Sequence, residues 1–241
     1  VGNAILVTAN LGSATLVAGG TTILSNYQLP LNASGNIGDI TPKALTLSLT
    51  GLVSKSYDGG VVAQLTAANY QVGGLAAGET IGVTQAAGVY ASRNAGTGIA
   101  VSATLSPTDF AAGAGTLLSN YLLPTAANGL IGVISPKLLT ASLTGSASRI
   151  YDGSLLIGLE SANVQLSGLA AGETITAGAI QGTLASPDVG AGIQVTASLT
   201  PADFSASGGA LLTNYILPTA ASGLIGTITP RTLTATLVGT V

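Results

Sequence analysis

The sequence predicts an all-β chain made of tandem small domains of about 94 residues, stacked end to end into a rod. Three observations predict it: a gapless internal repeat, strict alternation of apolar and hydroxyl side chains, and glycine-rich breaks between the alternating segments. Residues 41–134 align on 135–228 without a gap, and 52 of the 94 positions are identical. Four stretches follow: 1–42 as the C-terminal part of a repeat, 43–136 and 137–230 as complete repeats, and 231–241 as the start of another. A unit of this size buries a modest core without disulfides. The alternative is a continuous β-solenoid, with four coils of roughly 23 residues per repeat.

Each element has a local reason. In Leu45-Thr46-Leu47-Ser48-Leu49-Thr50 apolar and hydroxyl residues alternate, the pattern of a strand with one buried face, and 139–144 and 233–237 repeat it. Ile99, Val101, Ala103 and Leu105 alternate with small or polar residues, as do Ile193, Val195, Ala197 and Leu199. Short strands are also expected at 61–66, 69–72, 80–84, 121–123 and 130–134, with equivalents one repeat on. Ser106-Pro107-Thr108-Asp109 and Thr200-Pro201-Ala202-Asp203 read as helix starts, which Gly113 and Gly115 should stop within a turn or two in the first copy. At Ile40-Thr41-Pro42-Lys43 one strand passes into the next without a linker, and Pro42 stiffens the seam.

Composition removes whole classes of chemistry. Only 15 of 241 residues are charged, 6 basic and 9 acidic, for a formal net charge of -3. That balance lacks the basic stripe of a nucleic-acid binder. No run reaches the roughly 18 apolar residues of a spanning helix. With no His and no Cys there is no conventional zinc, copper, haem or iron–sulfur site, and no Ser–His–Asp or Cys–His catalysis. No cofactor, catalytic residue or metal ligand is assigned. The chain has no initiating Met and no signal peptide, which implies a segment of something longer.

Several recurring residues invite a functional reading. Tyr57-Asp58-Gly59 returns as Tyr151-Asp152-Gly153. A calcium site needs about 6–8 oxygens, so a hairpin turn is preferred, with Gly at positive φ, Asp capping amides and Tyr anchoring the turn to the core. Glu79 and Glu173 lie in identical Gly-Leu-Ala-Ala-Gly-Glu-Thr segments. With Asp58 or Asp152 each could form a glycosidase pair, but without Trp walls a loop acid accepting backbone hydrogen bonds is the simpler reading. Asn26-Tyr27, Asn120-Tyr121 and Asn214-Tyr215, each with Pro three residues after the Tyr, suit either a sugar-binding surface or, preferably, a turn with Tyr packed on the module core. Lys43, Lys137 and Arg231 share one position; Arg in the third copy counts against an isopeptide cross-link, and an edge cation is preferred. Tyr90 becomes Leu184 and Arg93-Asn94 becomes Pro187-Asp188, which reads as variable loop surface.

Six blocks in fixed order carry a resemblance: Lys-x-Leu-Thr (43–46), Tyr-Asp-Gly (57–59), Gly-Leu-x-x-Gly-Glu (74–79), Gly-x-Gly-Ile-x-Val (96–101), Asn-Tyr-x-Leu-Pro (120–124) and Ile-Ser-Pro-Lys (134–137). Together they resemble the YDG-type repeat of large bacterial secreted and surface adhesins, filamentous-haemagglutinin-like proteins of two-partner secretion. The resemblance implies an extracellular, cell-surface setting and a part in adhesion or biofilm, and it brings no catalytic residues. The expected function is a non-enzymatic stalk or fibre segment of an adhesin. Its expected partners are neighbouring repeats of the same chain, with like fibres or surface polysaccharide as further candidates, and neither nucleic acid nor a membrane span. The alternatives are a self-assembling extracellular filament subunit and a carbohydrate-binding module.

Overall fold

The computed structural model describes residues 1–12 and 15–239, and among these the fold is all-β, with 3-10 turns and no α-helix. Residues 13–14 of the expected partial repeat 1–42, and 240–241 of the expected 231–241, lie outside the described residues. Two compact units form. One comprises 1–49, 66–86 and 103–128; the other comprises 50–65, 87–102 and 129–241.

The first unit is a set of two-stranded ribbons. Gly2–Asn10 pairs antiparallel with Asn32–Ile40. Thr46–Leu49 pairs antiparallel with Tyr70–Gly73, and Ile81–Val83 with Phe110–Ala112. Lys43–Ala44 runs parallel to Tyr121–Leu122. Leu45, Leu49, Ile81, Val83, Phe110 and Tyr121 are buried there.

The second unit holds two five-stranded sheets, one from each repeat. The first has the order Val53–Ser56, 129–135, 96–102, Ala87–Tyr90, Val62–Gln64; the second has Ala147–Ile150, Ala220–Thr229, Gly190–Ser198, Ile180–Leu184, Leu156–Leu159. The two edge strands of each sheet approach each other, so each sheet nearly closes into a barrel. Only the first strand runs parallel to its neighbour, at Val53↔Gly132 and Ala147↔Gly226. The other ladders given for these sheets are antiparallel. A solenoid would stack parallel coils, so the tandem-domain expectation holds and the solenoid alternative is set aside. The flanking ribbons 140–143/164–167 and 174–177/204–207 are antiparallel.

Burial inside the barrels corrects one reading. Tyr90 and Leu184 are each 2% exposed, core residues and not variable loop surface. Each lies over a glycine one repeat apart: a Cβ on Gly132 would sit 2.7 Å from the Tyr90 ring, and one on Gly226 would sit 2.5 Å from Leu184 Cδ2. The exchange of Tyr for Leu is therefore an exchange of core fillers above a glycine floor.

The expected helix starts are single 3-10 turns, Pro107–Asp109 and Pro201–Asp203. The capping boxes are real: the N–H groups of Ser106 and Thr200 donate to Asp109 and Asp203 Oδ2, both at 2.7 Å. What stops each turn is the strand that begins at Phe110 or Phe204, whose ring is buried. These backbone donors hold both carboxyls below the usual aspartate range. A depressed carboxyl contributes stability above its unfolded value of about 4 and loses it as the pH falls through the folded one. Asp109→Asn with Asp203→Asn should therefore lower the melting temperature at pH 7 and flatten the wild-type loss of stability below pH 4, read by thermal melts across pH 2–7.

Candidate functional site

The residues that recur at 94 meet in one place within the second unit. Tyr57 follows the edge strand Val53–Ser56, and its N–H donates to Ser135 O at 2.8 Å. Asp58 Oδ1 then accepts the Gly60 N–H at 2.8 Å and the Lys55 ammonium at 2.7 Å, while Gly59 turns the chain at φ +79°. Lys55 holds the Asp58 carboxyl below its usual range. The chain turns at Asp58-Gly59, but the turn does not join a two-stranded hairpin. The strands on either side are the two edges of the sheet, and they bond to different neighbours.

This geometry presents Tyr57, 1% exposed, to the second repeat. Its hydroxyl donates to Glu173 Oε1. Tyr215 donates to the other oxygen, Glu173 Oε2, at 2.6 Å and accepts the Ala170 N–H at 3.0 Å. The two rings pack edge to face, with centroids 5.3 Å apart and planes at 79°. One carboxylate thus accepts a tyrosine hydroxyl from each of two repeats. Glu173 sits in a tight loop: its N–H donates to Ala170 O at 3.2 Å, and the flanking Gly168 and Gly172 take φ of +104° and +79°. That is why Gly-Leu-Ala-Ala-Gly-Glu is kept as a block: L side chains rarely adopt those φ values.

A second strap lies beside the first. Asn214, 1% exposed, accepts the Ala95 N–H on Oδ1 at 2.8 Å and donates to Asn94 Oδ1 at 3.2 Å. Arg93 Nη2 donates to Gly209 O at 2.9 Å. Arg93 and Asn94 are therefore seam residues, which corrects the variable-surface reading. The sequence marks Tyr57, Glu173, Asn214 and Tyr215 one by one but does not join them. Their shared 94-residue interval is the signal.

The remaining copies occupy the same local settings with different company. In the first unit Tyr121 donates to Glu79 and accepts the Ala76 N–H at 3.0 Å. Asn120 Oδ1 accepts the Val1 ammonium at 3.0 Å; Val1 is the residue 94 before Ala95. Tyr27 is 63% exposed and Asn26 ends a 3-10 turn, as Asn120 and Asn214 do. Tyr151 is 41% exposed, with Asp152 held by Arg149 and Gly153 at φ +81°. Lys43 and Lys137 sit in two-residue parallel ladders beside Tyr121 and Tyr215, whereas Arg231 lies outside any strand. Asp58 takes the Lys55 ammonium and the Gly60 N–H, whereas Glu173 takes two phenols in place of the backbone amides the sequence suggests for its loop.

Burial raises the Tyr57 hydroxyl, and it pushes Tyr215 up to about 12, with the hydrogen bond to Glu173 adding in both. Tyr121 is raised chiefly by its bond to Glu79. A group whose folded value is raised stabilises the protein fully below its unfolded value near 10, and the contribution disappears as the pH climbs through the folded one. Seam stability is therefore expected to hold to pH 10 and to fall between pH 10 and about 12. Urea midpoints across pH 8–12 check this, with Tyr57→Phe showing a shallower fall than wild type.

These features define a class: an all-β tandem array whose consecutive repeats are joined by a tyrosine–carboxylate seam. The YDG domain model matches twice, over residues 41–128 and 135–222, and the chain belongs to that family. No curated protein and no solved structure matches the chain.

Proposed function

We propose that this chain is a non-enzymatic structural segment of a bacterial cell-surface adhesin, a stalk or fibre whose repeats set reach and stiffness. It works outside the cell in adhesion or biofilm. The single observation that carries the reading is Glu173 accepting one tyrosine hydroxyl from each of two consecutive repeats. A part-buried, charge-assisted pair of this kind resists rotation of one repeat on the next better than a flexible linker does. Tandem YDG domains and the near-absence of charge support it further, since hydroxyl-coated strands supply solubility without side-chain ions.

The test is negative-stain electron microscopy of arrays with two, four and eight repeats. A stalk grows in length in proportion to repeat number at constant width. A flexible string, whose end-to-end distance grows as the square root of repeat number, contradicts the reading. Binding tighter than millimolar on a glycan array would favour the carbohydrate-binding module instead.

A further inference from the structure

The chain holds seven tyrosines and no Cys, Met, Trp or His, so tyrosine is its one readily oxidised side chain and no disulfide can staple its repeats. Tyr57 and Tyr215, from consecutive repeats, stand in edge-to-face contact with centroids 5.3 Å apart. Among the described residues no other pair of tyrosine rings meets. Both hydroxyls end on Glu173, one on each carboxylate oxygen. The ring carbons beside those hydroxyls therefore lie on the same side of the seam.

We propose that Tyr57 and Tyr215 form an oxidative cross-linking site, at which a one-electron oxidant of the peroxidase class, drawing on hydrogen peroxide, joins the two rings and fixes one repeat covalently to the next. Each phenol gives one electron to the oxidant and its hydroxyl proton to Glu173, which passes it to water before taking the second. Glu173 is half-buried, so its carboxyl has a route to solvent. The two phenoxyl radicals couple through the ring carbons ortho to their oxygens. The hydrogens on those carbons then move to the oxygens as the rings regain aromaticity. One carbon–carbon bond forms, two carbon–hydrogen bonds break, and the two electrons and two protons released reduce one peroxide to two waters.

The surroundings select this pair. Burial holds both hydroxyls protonated well above neutral pH, Tyr215 up to about 12. A phenol so held loses an electron readily only where a base takes its proton in the same event, and Glu173 already accepts from both. Tyr90 is as deeply buried, but its hydroxyl donates to Val53 O at 3.0 Å, an amide oxygen too weakly basic for that task. Electrons leave a buried ring through the surrounding protein, so the oxidant acts from outside the seam. A radical on exposed Tyr27 or Tyr151 faces solvent, whereas these two face each other.

The inference rests on the seam reading and adds a reaction to it. The test exposes the full 241-residue chain to tris(bipyridyl)ruthenium, persulfate and blue light, a source of one-electron oxidant, followed by trypsin and mass spectrometry. Trypsin releases residues 56–93 and 150–231, which in a Tyr70→Phe, Tyr90→Phe, Tyr151→Phe chain carry only Tyr57 and Tyr215. The expected product is these two peptides joined within a monomeric chain, two hydrogens lighter than their sum. It should be absent in Tyr57→Phe and Tyr215→Phe, and form roughly a hundredfold more slowly in Glu173→Gln. The joined chain should also unfold at higher urea. Melting temperatures show which variants fold, and fragment-ion sequencing of the wild-type product locates the bond independently of them. Consumption of the exposed tyrosines with no joined peptide overturns the proposal. So does formation at the wild-type rate in Glu173→Gln, or a joined peptide found only in dimers of the chain. Failure here, with Glu173→Ala still destabilising the chain, would leave the seam reading standing.

Discussion

Gly223→Ala is expected to abolish folding of the second barrel. A Cβ at this position would lie 2.2 Å from Leu143 O and 2.9 Å from its carbonyl carbon, both backbone atoms of a paired strand. Nothing there swings aside as the far end of a side chain would. Overpacking typically costs about 1–3 kcal/mol, and a clash with two backbone atoms falls at or beyond the top of that range, roughly 3 kcal/mol or more. Gly158→Ala is the control: it lies in the strand Leu156–Leu159, and a Cβ added there would meet no atom within 4 Å. It should leave stability unchanged or raise it by less than about 1 kcal/mol. Urea unfolding followed by far-UV circular dichroism separates the two outcomes, and a stable, cooperatively unfolding Gly223→Ala protein would refute the packing described.

Glu173→Ala carries the next largest effect. It removes the carboxylate that accepts both the Tyr57 and the Tyr215 hydroxyls, and Tyr57 has almost no access to water. Hydrogen bonds to charged groups contribute about 1.5–3 kcal/mol each, and a buried donor left without an acceptor adds its own desolvation cost. The loss is expected at about 3 kcal/mol or more. Glu160→Ala provides the contrast: its carboxylate closes a capping box on the 3-10 turn Ser161–Asn163, and caps contribute typically about 1 kcal/mol. The ratio between the two variants, and not either value alone, identifies the seam as the stronger element.

Much of the fold is legible because period-2 alternation is a local property. The strand expected at 99–105 overlaps Gly96–Thr104 in all but its last residue, and 130–134 falls inside Ala126–Ser135. The strands that escape a sequence reading lack that alternation. Val53–Ser56 carries Ser54, Lys55 and Ser56 and has only Val53 buried, because it is an edge strand with one side to solvent. Ala87–Tyr90 has the composition of a glycine-containing loop, and its strand character comes from pairing on both sides, with Val62–Gln64 and with Val101–Ser102. The helix starts are half correct: Ser106, Pro107 and Asp109 do cap a turn, but a buried Phe110 in the next strand outweighs helical propagation.

The seam is legible in its parts and not in its assembly. Spacing at 94 marks Tyr57, Glu173, Asn214 and Tyr215, yet sequence gives no distance between residues 57 and 173. Tyrosine and glutamate each have an adequate local explanation, so each reads as a local anchor. Arg93 and Asn94 are missed for the opposite reason. Their replacement by Pro187 and Asp188 suggests free surface, while their contacts with Gly209 and Asn214 depend on which repeat follows.

A double-mutant cycle on Tyr57→Phe and Glu173→Gln tests most directly whether the repeats are locked through this pair. Tyr57→Phe removes the hydroxyl, and Glu173→Gln removes the charge and one of the two acceptor oxygens, so the cycle reads the charge-assisted part of their interaction apart from the packing of the rings. The expected coupling is about 1–2 kcal/mol at pH 7, from urea unfolding of the four proteins. Additivity within about 0.3 kcal/mol would contradict it: the hydroxyl and the carboxylate would then be neighbours that do not hold one repeat to the next.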